Sequence, residues 1–399
     1  MSKQLLDRLA GRRTHRKSRN GCSGCKKRHI KCDETRPECR NCIMAERVCS
    51  YLKTEPNDSS STVSSTAAIV CTGIATPREI SADRCLAIPK DPGEVYSCTG
   101  QTFTASHMAF LHYAQSNMSE FMALTGNIRP LIDTAIEHSL TAPYLLDQLL
   151  GLSSLHLSTQ NGSKASMYFH QATELQTRAL GFFNQTKEHI SDTTYIPTFV
   201  FASLLGIHVL YETLQWHCGS LADFIDAFVN YSRLHRGVRS ITGKYWDEIL
   251  QSDLKPLLFI VDIMNKEPVQ TPGPETKQLK EFLESIPTPS ASTNVCITAL
   301  EKLQWVIDLT RTQPSKFEVG VHAVMAWPLC IPDEYIEALH QHQPEAFVIL
   351  AYYAAMLHRY RRFWAFGGSG APIVHLITNS VGSFWQDVLA WPLQALIES

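Results

Sequence analysis

The chain has 399 residues, of which 44% are hydrophobic and 19% charged, and its formal net charge is −2. That length and apolar content argue against a disordered or fibrous protein and suffice for a sizeable core in more than one domain. The small net charge hides an asymmetry: residues 1–53 carry 15 Lys and Arg against 5 Asp and Glu, whereas residues 54–399 carry 21 against 33. One end is therefore suited to a polyanion and the rest is not.

The N-terminal stretch MSKQLLDRLAGRRTHRKSRNG lacks the apolar segment and small-residue cleavage pattern of a secretory signal, so its cysteines are expected in a reducing compartment. Within residues 1–20, GRRTHRKSR (11–19) is read as a basic arm, with Arg16, Lys17 and Arg19 as candidate DNA contacts. Such an arm suits nuclear import, the phosphate backbone, or both.

Six of the twelve cysteines follow within 28 residues: Cys22, Cys25, Cys32, Cys39, Cys42 and Cys49. Their pattern is C-x2-C-x6-C written twice. Disulfides, a metal cluster and unrelated thiols compete for it, and a reducing compartment argues against the first. A C-x2-C step lets two thiolates converge on one ion, and zinc prefers four ligands. One zinc would leave two of the six sulfurs over, while two zincs need eight positions, so two sulfurs must bridge.

Residues 21–51 resemble the six-cysteine binuclear zinc cluster of fungal transcription regulators. The resemblance implies a DNA-binding module holding two zinc ions. Cys22 and Cys39 would be the bridging thiolates, with Cys25 and Cys32 completing one tetrahedron and Cys42 and Cys49 the other. Pro37 also matches the family's loop between the repeats. The first repeat carries Lys26, Lys27, Arg28, His29 and Lys31 with no acid among them, where the second has IMAERV. The first is thus expected to face DNA, its short helix in the major groove. Lys27 and Arg28 suit guanine O6 and N7, and Lys26 and Lys31 suit phosphate. His29 departs from the Lys that many relatives carry there to read a CGG-type triplet. The family also implies a nuclear protein.

Residues 52–102 read as a flexible linker, opening on the Ser/Thr-rich TEPNDSSSTVSST. They contain no heptad run for a coiled coil, so any homodimer is expected to form through the larger domain. Cys71, Cys85 and Cys98 there lack metal spacing.

From about residue 103 to 399 apolar residues recur at three- and four-residue steps and alternating patterns are scarce, which predicts an all-α domain of ten or more helices. Pro130, Pro143, Pro314, Pro344 and Pro372 mark helix starts or breaks. The fold class is therefore mainly α: a small zinc-stabilised module, a linker and a large helical domain. IPTFVFASLLGIHVLYETL (196–214) is the richest apolar run; with His208 inside it, it reads as a buried helix, and no membrane segment is expected. The stretches PYLLDQLLGLSSLHLS, Trp327-Pro328, ILAYYAAMLHRYRRFWAFGG and WQDVLAWPLQALI resemble the regulatory domain of the sterol-uptake-control type of fungal regulators. That resemblance implies an effector domain contacting coregulators and a small hydrophobic ligand.

RYRRF (359–363) reads as a helix end with solvated arginines. HQH (340–342) places two histidines two residues apart, on different faces of a helix. No H-E-x-x-H and no G-x-x-x-x-G-K-[ST] occurs, and GGSGA (367–371) reads as a loop between helices. The sequence therefore predicts a non-enzymatic, nuclear, zinc-dependent regulator of RNA polymerase II genes, with a metabolic or secondary-metabolite gene cluster as its field of action and a repressor or sterol-responsive sensor as the alternative.

Overall fold

Short cysteine-spaced turns at one end and long apolar-periodic runs at the other give two different kinds of order. The computed structural model describes residues 21–27, 32–35, 39–43, 49, 103–160, 162–186, 191–215, 220–264, 272–286 and 291–398. The chain divides into two units, Met1–Ile88 and Pro89–Ser399. The basic arm and the 52–102 span lie outside the described residues, as do Cys71, Cys85, Cys98 and Pro37.

In the first unit α1 (Ser23–Lys27) and α2 (Arg40–Ile43) each begin one residue after the leading cysteine of a C-x2-C step. One helical turn then brings the two sulfurs of the step to the same side. The elements repeat at an offset of 17 residues, the separation of Cys22 and Cys39.

The second unit contains no strand among the described residues, as the scarcity of alternating patterns predicts. Its α3 (Ala105–Phe121) starts at a capping box: the Thr104 hydroxyl accepts from the His107 N–H at 3.4 Å and the Thr104 N–H donates to His107 Nδ1 at 3.2 Å. α4 (Arg129–Glu137) and α5 (Pro143–Gln160) both take proline in the first turn, where its missing N–H costs nothing. α5 is buried from Pro143 to His156. It packs on α3, α6 (Ala165–Thr186) and α7 (Tyr195–Gln215). α7 is the one described helix long and apolar enough to cross a membrane, and 67% of that window is buried, so it is a core helix here.

α8 (Leu221–Thr242), opened by a Ser220–Asp223 capping box, joins this half to the next through α13 (Phe317–Cys330), α14 (Asp333–His340) and α16 (Gly370–Ser380). The short α9 (Trp246–Gln251), α10 (Phe259–Met264) and α11 (Lys277–Glu284) lead to α12 (Ala291–Thr312). α15 (Pro344–Arg359) forms the centre: every residue from Ala346 to Leu357 is buried, against α12, α13, α14, α16 and α17 (Ala390–Glu398). A helix apolar on all sides must be enclosed on all sides.

Polar side chains lock these helices at long range. The Trp327 indole N–H donates to Ala299 O at 3.1 Å, the Tyr335 hydroxyl to Ala346 O at 2.9 Å and the Tyr352 hydroxyl to Val388 O at 2.7 Å. Asp147 is fully buried in α5 and accepts two 2.7 Å hydrogen bonds from Arg178 of α6. On α12, Gln304 and Asp308 accept the Thr276 and Gly273 backbone N–H groups, each at 3.0 Å, and so fix the segment before α11. Gly370 lets α16 cross α15 closely, since a Cβ there would overlap the Ala354 carbonyl and the His358 amide.

Two expectations are refined. His340 ends α14 while His342 sits in the following turn at φ 57°, so HQH is not one helical step. GGSGA is a loop only as far as Ser369, because Gly370 already begins α16.

Candidate metal centre

The six sulfurs of residues 22–49 converge in one buried cluster, each cysteine at most 2% exposed. None of the six is joined in a disulfide, so the disulfide reading of their spacing falls. Cys22 Sγ lies 3.5 Å from Cys39 Sγ and 3.6 Å from Cys42 Sγ, and Cys25 Sγ lies 3.6 Å from Cys39 Sγ. The sulfurs form two sets of four, each with all its atoms within 4.8 Å: Cys22, Cys25, Cys32, Cys39 and Cys22, Cys39, Cys42, Cys49. Cys22 and Cys39 belong to both.

The donor set can be tested against an ion. Four thiolates around zinc at about 2.3 Å stand about 3.8 Å apart, close to the observed spacings. Burial pushes the Cys25 thiol up to about 12, and raises Cys39 and Cys42 as well. Six such groups cannot ionise side by side in an apolar pocket without cations among them. A soft divalent ion supplies that charge, and the donor chemistry fits zinc.

Backbone amides complete the two halves in matching ways. The Cys22 N–H donates to Cys32 Sγ at 3.4 Å, and 17 residues on the Cys39 N–H donates to Cys49 Sγ at 3.5 Å. Further N–H groups reach sulfur from Cys25 to Cys22 at 3.3 Å and from Glu34 to Cys32 at 3.4 Å. Amide donors to thiolates spread their charge and fix each sulfur's direction. Glu34 makes its bond from φ 58°, a left-handed conformation uncommon for a residue with a Cβ.

Among the expected DNA contacts, Lys26 and Lys27 stand exposed on the last turn of α1, directly after Cys25. Arg28, His29, Lys31, Arg16, Lys17 and Arg19 lie outside the described residues. Sequence reasoning missed Asp33. Its carboxylate accepts from the Thr35 hydroxyl and, at 3.2 Å, from the Arg40 N–H, tying the end of the first repeat to the start of α2. Those hydrogen bonds, Thr35 first, hold its carboxyl below the ordinary range. The available signal was the Asp-x-Thr step after Cys32, a common local turn.

Residues 20–58 match the fungal Zn(2)-Cys(6) binuclear cluster domain. This segment of the chain is a zinc-cluster domain of that type. Domains of this type bind two zinc ions through six cysteines, in agreement with the two four-sulfur sets. In the Candida albicans sterol uptake control protein 2, 41 residues are 61% identical, covering 10% of this chain and 6% of that protein. The Saccharomyces cerevisiae sterol uptake control protein 2 is 50% identical over 40 residues, 10% of this chain and 4% of that protein. The zinc-cluster chain thus spans a small fraction of the length of these two relatives. A Gibberella zeae Zn(2)-C6 fungal-type transcription factor is similar along nearly all of it: 22% identical, covering 97% of this chain and 87% of that protein. No solved structure matches the chain. The names of these relatives are those of two control proteins and a transcription factor.

Proposed function

We propose that this zinc-cluster protein is a sequence-specific DNA-binding regulator of transcription by RNA polymerase II, acting in the nucleus. The observation that carries the reading is the pairing of two overlapping four-sulfur sets with exposed Lys26 and Lys27 on the helix that follows Cys22. In this reading Cys22 and Cys39 bridge, Cys25 and Cys32 complete one site, and Cys42 and Cys49 complete the other. The ions supply structure alone: they neutralise buried thiolates and hold α1 rigid. Lys27 and Arg28 read guanine edges of CGG-type sites, His29 donates one hydrogen bond, and Lys26 and Lys31 bind phosphate. Arg16, Lys17 and Arg19 of the basic arm add phosphate contacts, which the charge of residues 1–53 supports.

The helical unit is the effector portion: it sets when the protein acts, contacts coregulators, takes a small ligand and carries any homodimer contact. Similarity to the Gibberella zeae factor along both units supports this division. A metabolic or secondary-metabolite gene cluster is the field of action we favour.

The test is DNA binding by the zinc-loaded chain across salt concentrations. Each phosphate neutralised contributes about −0.9 to the slope of log K against log salt, so several contacts give a steep line. A slope near zero, or a Cys39→Ala chain with unchanged affinity, refutes the proposal. Arg28→Ala is expected to relax base preference at a cost of about 1–3 kcal/mol, and Lys26→Ala to weaken all sequences alike.

A further inference from the structure

Between α12 and α13 lies a cleft of about 350 Å3, within the range of small-molecule sites. One face of α12 supplies Thr298, Glu301, Lys302, Trp305 and Val306, and α13 supplies Trp327 and Cys330. These are three- and four-residue steps on each helix, so the cleft is the groove between two packed helices. Its walls are mostly apolar, with Trp305 and Val306 from α12 and Trp327 from α13.

Most of its polar groups are already committed. The Thr298 hydroxyl donates to Asn294 O at 3.1 Å, Lys280 Nζ holds Glu301 Oε1 at 2.7 Å, and the Trp327 N–H donates to Ala299 O. Two groups remain. Neither the Lys302 ammonium nor the Trp305 indole N–H has a partner among the described residues. Both are donors without acceptor capacity, and three residues apart on a helix they share a face. With Glu301 neutralised by Lys280, the unanswered charge in the cleft is positive.

From this inventory we infer that the α12–α13 cleft binds a small organic anion, an aromatic or alicyclic body bearing a carboxylate or sulfonate. The body packs against Trp305 and Val306, and the acid group accepts from Lys302 and the Trp305 N–H. The site is built from residues of the second unit only. Its use as a control point rests on the effector reading of the helical unit.

A matched pair of probes tests it on the full zinc-loaded chain: 1-anilinonaphthalene-8-sulfonate and N-phenyl-1-naphthylamine, the same aryl body without the sulfonate. Both are expected to bind at one site per chain and quench tryptophan emission, the sulfonate more tightly. In Lys302→Gln the sulfonate should weaken about tenfold, the worth of one charge-assisted hydrogen bond, while the neutral probe is unaffected and Lys302→Arg binds both as wild type. Thr298→Trp, which fills the cleft, should remove both, with circular dichroism and melting temperature confirming the fold. Equal sulfonate affinity in wild type and Lys302→Gln, or no saturable binding of either probe, overturns the inference. Reporter output from wild type and Lys302→Gln reads the effector role separately, so an unchanged reporter with altered probe binding rejects the control point and keeps the site.

Discussion

Removing Arg178 puts the buried polar design of the helical unit under direct test. Its guanidinium meets the fully buried Asp147 carboxylate through two 2.7 Å hydrogen bonds and lies 5.5 Å from the Phe103 ring centroid. Arg178→Ala leaves an ionised carboxylate in a site that excludes water, at a cost of about 3–5 kcal/mol. Loss of the cation–π contact adds about 0.5–1 kcal/mol. Against a total stability of about 5–15 kcal/mol, that is a large fraction, equivalent to a melting-temperature drop on the order of 10 °C. The double variant Asp147→Leu/Arg178→Met removes charge and partner together, and should return to within about 1–2 kcal/mol of wild type. All seven tryptophans follow residue 215, so denaturation followed by their emission reports the helical unit and not the cluster. An Arg178→Ala cost below about 1 kcal/mol, or a double variant no more stable than that single one, would refute the reasoning, since both follow from one unpaired buried charge.

The shared sulfurs predict unequal effects of cysteine loss: Cys39→Ala should abolish binding of both zinc ions and Cys49→Ala of one, as counted by native mass spectrometry. Chelation should unfold the cluster, worth about 10–16 kcal/mol in structural zinc sites, while tryptophan emission stays unchanged. Burial holds His156 and His235 down to about 4, from 6.5. The unfolded chain therefore binds more protons between those pH values, and stability falls as pH drops from about 6.5 to 4, by on the order of 3 kcal/mol per histidine. His156→Phe should flatten that slope in denaturation curves taken at several pH values. Gly370→Ala forces a methyl into the α15 backbone and should cost about 1–3 kcal/mol in the same assay.

The cysteine cluster was legible because its chemistry is local. Six sulfurs fall two short of the eight positions two zinc ions need, and the structure supplies two four-sulfur sets with Cys22 and Cys39 in common. α7 was legible for a related reason, since the apolar run 196–214 reads as a buried helix and 67% of its apolar window is buried. Asp147 and Arg178 were not, because they lie 31 residues apart and each looks like an ordinary helix-surface charge until α5 and α6 pack. The Gln304 and Asp308 contacts to the segment before α11 join residues 28 and 35 apart, and no periodicity encodes them. The α12–α13 cleft was hidden too: Trp305 and Trp327 read as core residues, and only the packing of two helices leaves space between them.

The matching amide-to-sulfur bonds in the two cysteine repeats are made by backbone and cysteine, so this part of the cluster repeats whatever the neighbouring side chains are. Among the described spacer residues, Asp33 adds a side-chain tie by accepting from the Arg40 N–H. On the proposed reading, a change at the exposed Lys26 or Lys27 is expected to alter DNA contacts while these amide-to-sulfur bonds stay in place. The cluster in this sense separates durability from vocabulary: the metal-bound frame persists while the words it recognises are free to change.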